Sequence, residues 1–198
     1  MKSEFDWAKD PLKHFEDFYQ EAVHRGLPDP NAMSLATVNS QGQPAVRVVL
    51  FKAIQHQGIT FYTNYDGHKA QDLATNPKVA ANFFWPQMEK QVRVQGQVQK
   101  LSRAENEAYF KTRIRNSQIG AWASNQSQEI PNVNYLNLKF QELEKKFLNQ
   151  EVPCPPHWGG YVIVPSEIEF WFGRQGRMHE RYVYQKTNSG WRKFMRAP

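Results

Sequence analysis

Residues 45–64 read AVRVVLFKAIQHQGITFYTN and are the most informative part of the chain. Two apolar, β-branched runs, Val46–Ile54 and Ile59–Tyr62, flank the turn-forming residues His56-Gln57-Gly58. This arrangement is typical of a hairpin between two buried strands. We therefore expect the rest of the chain to be organised around a hairpin at this position.

Two cations lie within the first run of this hairpin. A buried cation is costly unless an anion meets it, so Arg47 and Lys52 require an explanation. Because they are five positions apart, they point to opposite faces of a regular strand. One ligand then reaches both only around the strand edge or end, or across a bulge. Taken alone, the pair is explained more simply by side chains that extend to solvent at the strand ends.

The composition indicates a chain that folds around one sizeable core. With 198 residues, 40% of them hydrophobic, we predict a single domain over residues 1–198. The initial sequence MKSEFDWAKDPLKHF contains no apolar signal segment, and no apolar run is long enough to span a membrane. Cys154 is the single cysteine, so no intrachain disulfide forms and we expect a cytoplasmic protein.

The formal net charge of +6 comes from cations that are scattered among acidic residues. Nucleic-acid binders concentrate their cations in a track, so this pattern favours separate phosphate pockets and argues against nucleic acid as a partner. The histidines lack the spacing of a metal site, and a structural zinc site needs more than one cysteine. We therefore predict no bound metal.

Periodicity and turn residues predict a mainly β chain with peripheral helices, an α+β fold. Asp10-Pro11 is typical of a helix start and Gly26 of a helix end, which predicts a short N-terminal helix over about 11–25. The capping box Ser102-Arg103-Ala104-Glu105 starts another helix, which we expect to continue towards Ser117. Further helices are predicted over 68–76 and 135–148, and strands over 33–39, 46–54, 59–62, 79–85, 90–99, 161–164, 167–172, 181–185 and 191–195, the last ones in a C-terminal sheet segment (about 159–198) of the same domain.

Two helical positions are candidates for binding an anion. Tyr109, Arg113 and Ser117 share one helix face if that helix is continuous, and they suit a phosphorylated aromatic ligand as well as an exposed polar face. His68 and Lys69 open a short helix, where unpaired N–H groups and cations favour an anion. A surface helix with a basic start explains the second pair equally well.

A third candidate lies near the C-terminus. Arg177, His179 and Arg181 share one face if their segment is extended, and three such groups side by side repel one another unless an anion or polar ring lies across them. An edge strand that resists aggregation is the alternative. Trp171, which comes shortly before, favours a binding role.

Six motifs are together similar to those of pyridoxine/pyridoxamine 5′-phosphate oxidases: RVVLFK (47–52), FYTN (61–64), FWPQMEKQVRV (84–94), RIRNSQIGAWASNQS (113–127), IEFWFG (168–173) and RMHER (177–181). The similarity extends from about Asp10 to the end of the chain. It implies an FMN-binding split β-barrel that forms a homodimer with two flavin sites at its interface.

The resemblance also implies roles for individual residues. The flavin is expected to contact Arg47, Val48, Val49, Leu50, Phe51, Lys52, Tyr62, Thr63, His68, Lys69, Gln91, Gln126, Ser127, Trp171 and Arg181, part of them from the second subunit. The substrate is expected to contact Lys52, Tyr109, Arg113, Ser117, Arg177 and His179. Of these, Arg177 and His179 are the expected catalytic residues.

The implied reaction is FMN-dependent oxidation of pyridoxamine or pyridoxine 5′-phosphate to pyridoxal 5′-phosphate, with O2 as acceptor. Two features depart from the family pattern. His68 stands where an arginine is usual. Family members also carry a longer N-terminal arm that folds over the substrate, and this sequence begins too late to supply it; either the arm is absent, or Phe5 and Trp7 do part of its work, or the gene start is misassigned. These departures leave a low-turnover flavin or pyridoxal-phosphate binding protein on the same fold as the alternative.

Overall fold

The computed structural model describes residues 5–198, which form eight antiparallel strands and five α-helices. The strands are β1 (Ala32–Val38), β2 (Pro44–Gln55), β3 (Gly58–Asn64), β4 (Lys78–Trp85), β5 (Lys90–Lys100), β6 (Trp158–Phe172), β7 (Glu180–Thr187) and β8 (Gly190–Met195). The helices are α1 (Pro11–His24), α2 (His68–Thr75), α3 (Arg103–Thr112), α4 (Arg115–Ala123) and α5 (Val133–Lys146). The predicted mainly β chain with peripheral helices is confirmed.

Six of these strands close into a barrel. The sheet order is β3-β2-β1-β4-β5-β6-β7-β8, and a further antiparallel pairing joins β3 to β6. That pairing closes the ring of β1 to β6, whereas the hairpin of β7 and β8 extends the sheet beyond it. Within residues 5–198, no helix is long and apolar enough to cross a membrane.

Helix α1 packs on the barrel core together with Phe5 and Trp7. The Asp10 carboxylate accepts hydrogen bonds from the first backbone N–H groups of α1, which satisfies donors that a helix start leaves unpaired. The Phe15 ring lies 5.0 Å from the Phe51 ring inside the barrel. Phe5 and Trp7, the possible replacements for the N-terminal arm, also pack on this core.

Strands β2 and β3 form the predicted hairpin. His56 and Gln57 make the turn with φ angles of 49° and 57°, as tight hairpin turns require. Gly58 follows because β6 passes close by: a Cβ at this position would lie 2.3 Å from the carbonyl oxygen of Ile163.

The prediction that both strands of the hairpin are buried is wrong for β2. Val46, Val48 and Leu50 are 69%, 64% and 42% exposed, since no described part of the same chain covers the outer face of this strand. Their neighbours opposite on β1 and β4 are small or polar, such as Ser34 and Asn82. An apolar, uncovered sheet face of this kind is typical of a contact surface.

Two predicted boundaries are also wrong. The helix expected over 102–117 ends at Arg113, whose ψ of 146° is extended, and α4 starts anew after Ile114. The strands predicted over 161–164 and 167–172 are one strand, β6, because the chain passes Pro165 without leaving the sheet. Gly96 of β5 lies opposite Pro165, where the register shifts.

Candidate active site

A cavity of about 800 Å3 opens between the hairpin, the helices α2 to α4 and the segment that follows α4. Its lining includes these residues that the sequence assigned to a site: Arg47, Val48, Val49, Leu50, Lys52, Tyr62, Thr63, Lys69, Tyr109, Arg113, Ser117 and Gln126. Most of the predicted flavin and phosphate contacts therefore meet in one place.

A bulge in β2 brings its two cations to the same cavity. The pairing between β2 and β3 shifts register between Phe51 and Ala53, so that Lys52 is the extra residue. Arg47 and Lys52 both line the cavity, so one ligand can reach both cations across this bulge, as the sequence analysis required. Phe51, by contrast, points into the barrel core and does not line the cavity.

Arg47 is held at the cavity wall by the strands and helix around it. Its Nη1 donates a hydrogen bond of 2.7 Å to the Thr37 hydroxyl, and Nη2 lies 3.8 Å from the Asp72 carboxylate. The Thr37 hydroxyl in turn donates to Asp72. Burial lowers the pKa of Arg47, and Asp72 opposes that shift. The guanidinium is thus oriented while much of its charge remains available to a ligand.

Lys69 is the most deeply buried cation of the cavity, at 8% exposure. Its Nζ donates to the Thr63 hydroxyl at 3.0 Å and to the side-chain oxygen of Gln126. Burial lowers the pKa of Lys69, and the nearby Arg47 adds to the shift. These neutral partners leave the ammonium charge uncompensated.

His68 and Ser127 lie beside this site without lining the cavity. The His68 side chain is exposed at the start of α2 and borders a neighbouring cavity of about 460 Å3 together with Arg47. The His68 backbone N–H donates to the Ser127 hydroxyl at 3.2 Å, which ties the start of α2 to the segment after α4. Both residues therefore lie near Lys69, but neither contributes to the wall of the cavity.

The three residues predicted to bind an anion from one helix face lie together although that helix is broken. Tyr109 on α3, Arg113 at the break and Ser117 on α4 all line the cavity. The buried Nη1 of Arg113 has no hydrogen-bond partner among the described residues. A buried donor without a partner costs free energy, so a ligand oxygen at this position would be stabilising.

Aromatic rings form a stack beside Arg113. The rings of Tyr62 and Tyr109 are 3.9 Å apart and nearly parallel, and Tyr62 stacks on Trp158 at 5.2 Å. The Arg113 guanidinium lies 4.7 Å from the Trp158 ring, a cation–π contact. Burial raises the pKa of Tyr62 to about 12, so its hydroxyl is a neutral hydrogen-bond donor at physiological pH.

The cavity as a whole suits a phosphorylated aromatic molecule. Burial lowers the pKa of each of its four cations, Arg47, Lys52, Lys69 and Arg113. Among the described residues, Asp72 is the one carboxylate within ion-pair distance of any of them. Four desolvated cations beside one carboxylate repel one another and favour anions, whereas the ring stack favours a planar ligand.

A second group of predicted site residues lies outside this cavity. Gln91, Trp171 and Arg181 stand directly opposite one another on β5, β6 and β7. The Trp171 ring lies 4.7 Å from the His179 ring. Within one chain, neither these residues nor Arg177 reach the cavity wall.

The extended cationic face predicted over 177–181 is not present. Arg177 has a φ of 62° in a short 3₁₀ turn, and β7 begins only at Glu180, so the three side chains do not alternate along one strand. Nδ1 of His179 accepts a hydrogen bond from the Arg174 backbone. Arg181 is neutralised by Glu169 at 2.9 Å, which removes the expected repulsion.

Sequence reasoning missed several residues at both locations. Asp72 and Trp158 contact predicted site residues, and Glu169 pairs with Arg181. Asp72 lies three residues after Lys69 on the same helix, and this spacing places the two side chains on one helix face. The spacing could therefore have identified Asp72 as a residue near the site. Trp158 and Glu169 carry no such local signal, because their partners are distant in sequence.

Comparison with solved structures identifies the fold. The chain superposes on PhzG from Burkholderia lata 383, solved in complex with tetrahydrophenazine-1-carboxylic acid, with a TM-score of 0.93 and 27% identity, covering 100% of this chain and 98% of that one. A pyridoxamine 5′-phosphate oxidase-related, FMN binding protein from Nostoc punctiforme shares the fold, with a TM-score of 0.75 and 16% identity, over 96% and 99% of the two chains. These likenesses define the chain as a split β-barrel protein.

Sequence comparison identifies the family. The family model of pyridoxamine 5′-phosphate oxidase matches residues 19–147, and that of the pyridoxine 5′-phosphate oxidase C-terminal dimerisation region matches residues 158–198. A pyridoxine/pyridoxamine 5′-phosphate oxidase of Bdellovibrio bacteriovorus is 52% identical, over 98% of this chain and 100% of its own. Another from Cupriavidus taiwanensis is 50% identical, over 96% and 89%. The chain belongs to the pyridoxamine 5′-phosphate oxidase family.

Proposed function

We propose that this protein oxidises pyridoxamine 5′-phosphate and pyridoxine 5′-phosphate to pyridoxal 5′-phosphate in vitamin B6 biosynthesis or salvage. FMN is the proposed cofactor and O2 the acceptor, with hydrogen peroxide, and ammonia from the amine, as products. Family membership supports this proposal. The observation that carries it is one ring-lined cavity with two separate positions for an anion, the buried Lys69 ammonium and the unpartnered Nη1 of Arg113.

The residues on the Lys69 side of the cavity fit a phosphorylated flavin. Arg47 and Lys69 would bind its phosphate, with Thr63 and Gln126 completing the donor and acceptor set around Lys69. Backbone and side chains of residues 48–50 would border the flavin ring. When bound, FMN supplies the two-electron oxidation of the substrate carbon and the reaction with O2.

The residues on the Arg113 side fit the phosphate of the substrate. Arg113 would donate its free Nη1 hydrogens to phosphate oxygens, and Lys52 and Ser117 would add a charge and a hydroxyl. Tyr109 would donate its hydroxyl as a neutral phenol, because burial raises its pKa. This contact set holds the substrate ring inside the cavity and excludes water from it.

We further infer that the second group of residues completes the cavity of a partner subunit in a homodimer. The exposed face of Val46, Val48 and Leu50 supports this, as does the match of residues 158–198 to a dimerisation region. Trp171 and Arg181 belong to that matched region, and their row continues the same outer sheet surface. Each site would then draw on both chains.

Arg177 and His179 are the proposed catalytic residues from the partner. Because Nδ1 of His179 accepts a hydrogen bond from the Arg174 backbone, the neutral ring carries its proton on Nε2. That proton would be donated to an oxygen of the substrate ring. Arg177, exposed and positively charged, would cover and orient the same ring.

We also infer a cytoplasmic protein with one domain over residues 1–198. The single cysteine supports the location, because Cys154 is buried and free and burial raises the pKa of its thiol. The shared barrel core supports one domain, since α1, the barrel strands and Tyr184 of β7 all contribute to it.

The visible absorption spectrum of the purified protein and its peroxide release test the function. We expect a flavin spectrum and stoichiometric hydrogen peroxide and pyridoxal 5′-phosphate on addition of pyridoxamine 5′-phosphate. A flavin spectrum without peroxide release would instead identify a low-turnover flavin or pyridoxal-phosphate binding protein. Failure of the FMN-reconstituted protein to bind either phosphorylated vitamer would contradict the assignment of the Arg113 side.

A further inference from the structure

Glu169 of β6 is a carboxylate buried to 2% exposure among three guanidinium groups. Its Oε2 accepts hydrogen bonds of 2.9 Å from both Arg181 and Arg196, and Arg93 lies 3.5 Å from Oε1. Burying such a network contributes little net stability, because desolvation offsets most of the Coulomb attraction. What it does provide is a fixed geometry for the side chains that it contacts.

Arg181 is the side chain that this geometry constrains most. Its Nε and Nη2 bind the Glu169 carboxylate side-on at 2.9 to 3.2 Å, and its Nη1 donates to the backbone oxygen of Ala197 at 2.9 Å. The backbone of Arg196 also donates to the Arg181 oxygen at 2.9 Å. A guanidinium has five N–H groups. The two contacts of Nη2 reach the two oxygens of one carboxylate and share one hydrogen, so Glu169 and Ala197 use three of the five and leave one N–H on Nη1 and one on Nη2 for a ligand.

We propose that Glu169 is a positioning residue for the cofactor: it fixes the Arg181 guanidinium beside Trp171 so that the remaining N–H groups are presented to FMN. The inference depends on the proposed function, because Arg181 is assigned to the flavin only there. Without Glu169, the arginine would have to be ordered at the moment of binding, which weakens affinity without removing a direct contact.

Glu167 offers a matched control, since it also lies on β6 and binds Arg196 at 3.0 Å but does not contact Arg181. We expect Glu169→Gln to raise the dissociation constant of FMN for the apoprotein by at least about tenfold, and Glu167→Gln by less than about twofold. Quenching of flavin fluorescence measures both. The kcat at saturating FMN should stay near that of the wild type in Glu167→Gln. Equal FMN affinity of Glu169→Gln and wild type would overturn the proposal.

A double-variant comparison separates this role from a purely structural one. If Glu169 acts through Arg181, then Arg181→Gln and the double variant Glu169→Gln/Arg181→Gln should bind FMN equally, because the second change has nothing left to position. The double variant removes both members of the Glu169–Arg181 pair, and Arg196 keeps Glu167 as an ion-pair partner, so the comparison does not depend on the folding of Glu169→Gln alone. A further loss of affinity in the double variant would overturn the proposal. Failure of the wild-type apoprotein to bind FMN would overturn the proposed function instead.

Discussion

Arg113 combines a buried, unpartnered nitrogen with a position at the cavity wall. Replacing it by alanine would remove the proposed charge-assisted contact to the substrate phosphate. We therefore expect Arg113→Ala to lower kcat/KM by a factor that corresponds to roughly 1.5–3 kcal/mol, mainly through a higher KM. Steady-state peroxide release measures this. Arg115→Ala is the control, since Arg115 binds backbone oxygens of the 147–150 loop outside the cavity. An unchanged KM for pyridoxamine 5′-phosphate would show that the phosphate binds elsewhere.

Lys69 illustrates a residue that favours binding at the expense of stability. Burial lowers the pKa of Lys69 below the usual 10.5, so the unfolded chain binds the proton more tightly than the folded chain. The apoprotein therefore gains stability as the pH rises from the lowered pKa to 10.5. We therefore expect Lys69→Met to raise the Tm of the apoprotein at neutral pH while weakening FMN binding by roughly 1.5–3 kcal/mol. Thermal unfolding with and without FMN measures both quantities. A lower apoprotein Tm would contradict the expected sign.

At the level of elements, the hairpin depends on close contact with β6. We expect Gly58→Ala to destabilise the fold by roughly 1–3 kcal/mol, since its Cβ would lie 2.3 Å from the Ile163 carbonyl oxygen. Urea unfolding provides the free energy. Gly120→Ala is the matched control, because Gly120 lies within α4 and a Cβ added there would meet no atom within 4 Å, so alanine should be neutral or stabilising. Equal stability of the two variants would exclude the steric explanation.

Sequence patterns predict elements well where the cause is local. Alternation predicts β4 over 79–85, and its alternate residues Val79, Ala81, Phe83 and Trp85 are all buried. The break after α3 has no such cause, because no proline or glycine marks it. It is held by a tertiary contact, the hydrogen bond of 3.0 Å from the Gln118 side chain to the Phe110 backbone.

At the level of the whole molecule, the uncovered face of β2 makes the dimer testable. We expect Val48→Asp to weaken the homodimer by roughly 2 kcal/mol or more, because a charge would be buried against the partner. Analytical ultracentrifugation measures the dissociation constant. Val133→Asp is the control: Val133 is exposed at the start of α5, where an acidic residue is favourable. Val48→Asp and Val133→Asp dimerising equally well would contradict this interface.

The candidate site could be predicted from the sequence only in part, because only some of its residues are brought together within one chain. Arg47, Lys69 and Arg113 converge because strands and helices of one chain bring them together, and their residue types already indicated phosphate. In the proposed homodimer, Trp171 and Arg177 reach the cavity from a second copy, and periodicity within one sequence contains no information about that copy.

The separation of Arg113 and Arg177 has a genetic consequence. In the proposed homodimer, each catalytic centre takes Arg113 from one chain and Arg177 from the other. A hybrid of an Arg113→Ala chain and an Arg177→Ala chain then has one centre that lacks both arginines and one centre that is intact. Co-expression in equal amounts should then restore about a quarter of wild-type turnover from two nearly inactive parents, since about half of the assemblies are mixed. Two alleles that each fail alone would complement one another in the same cell.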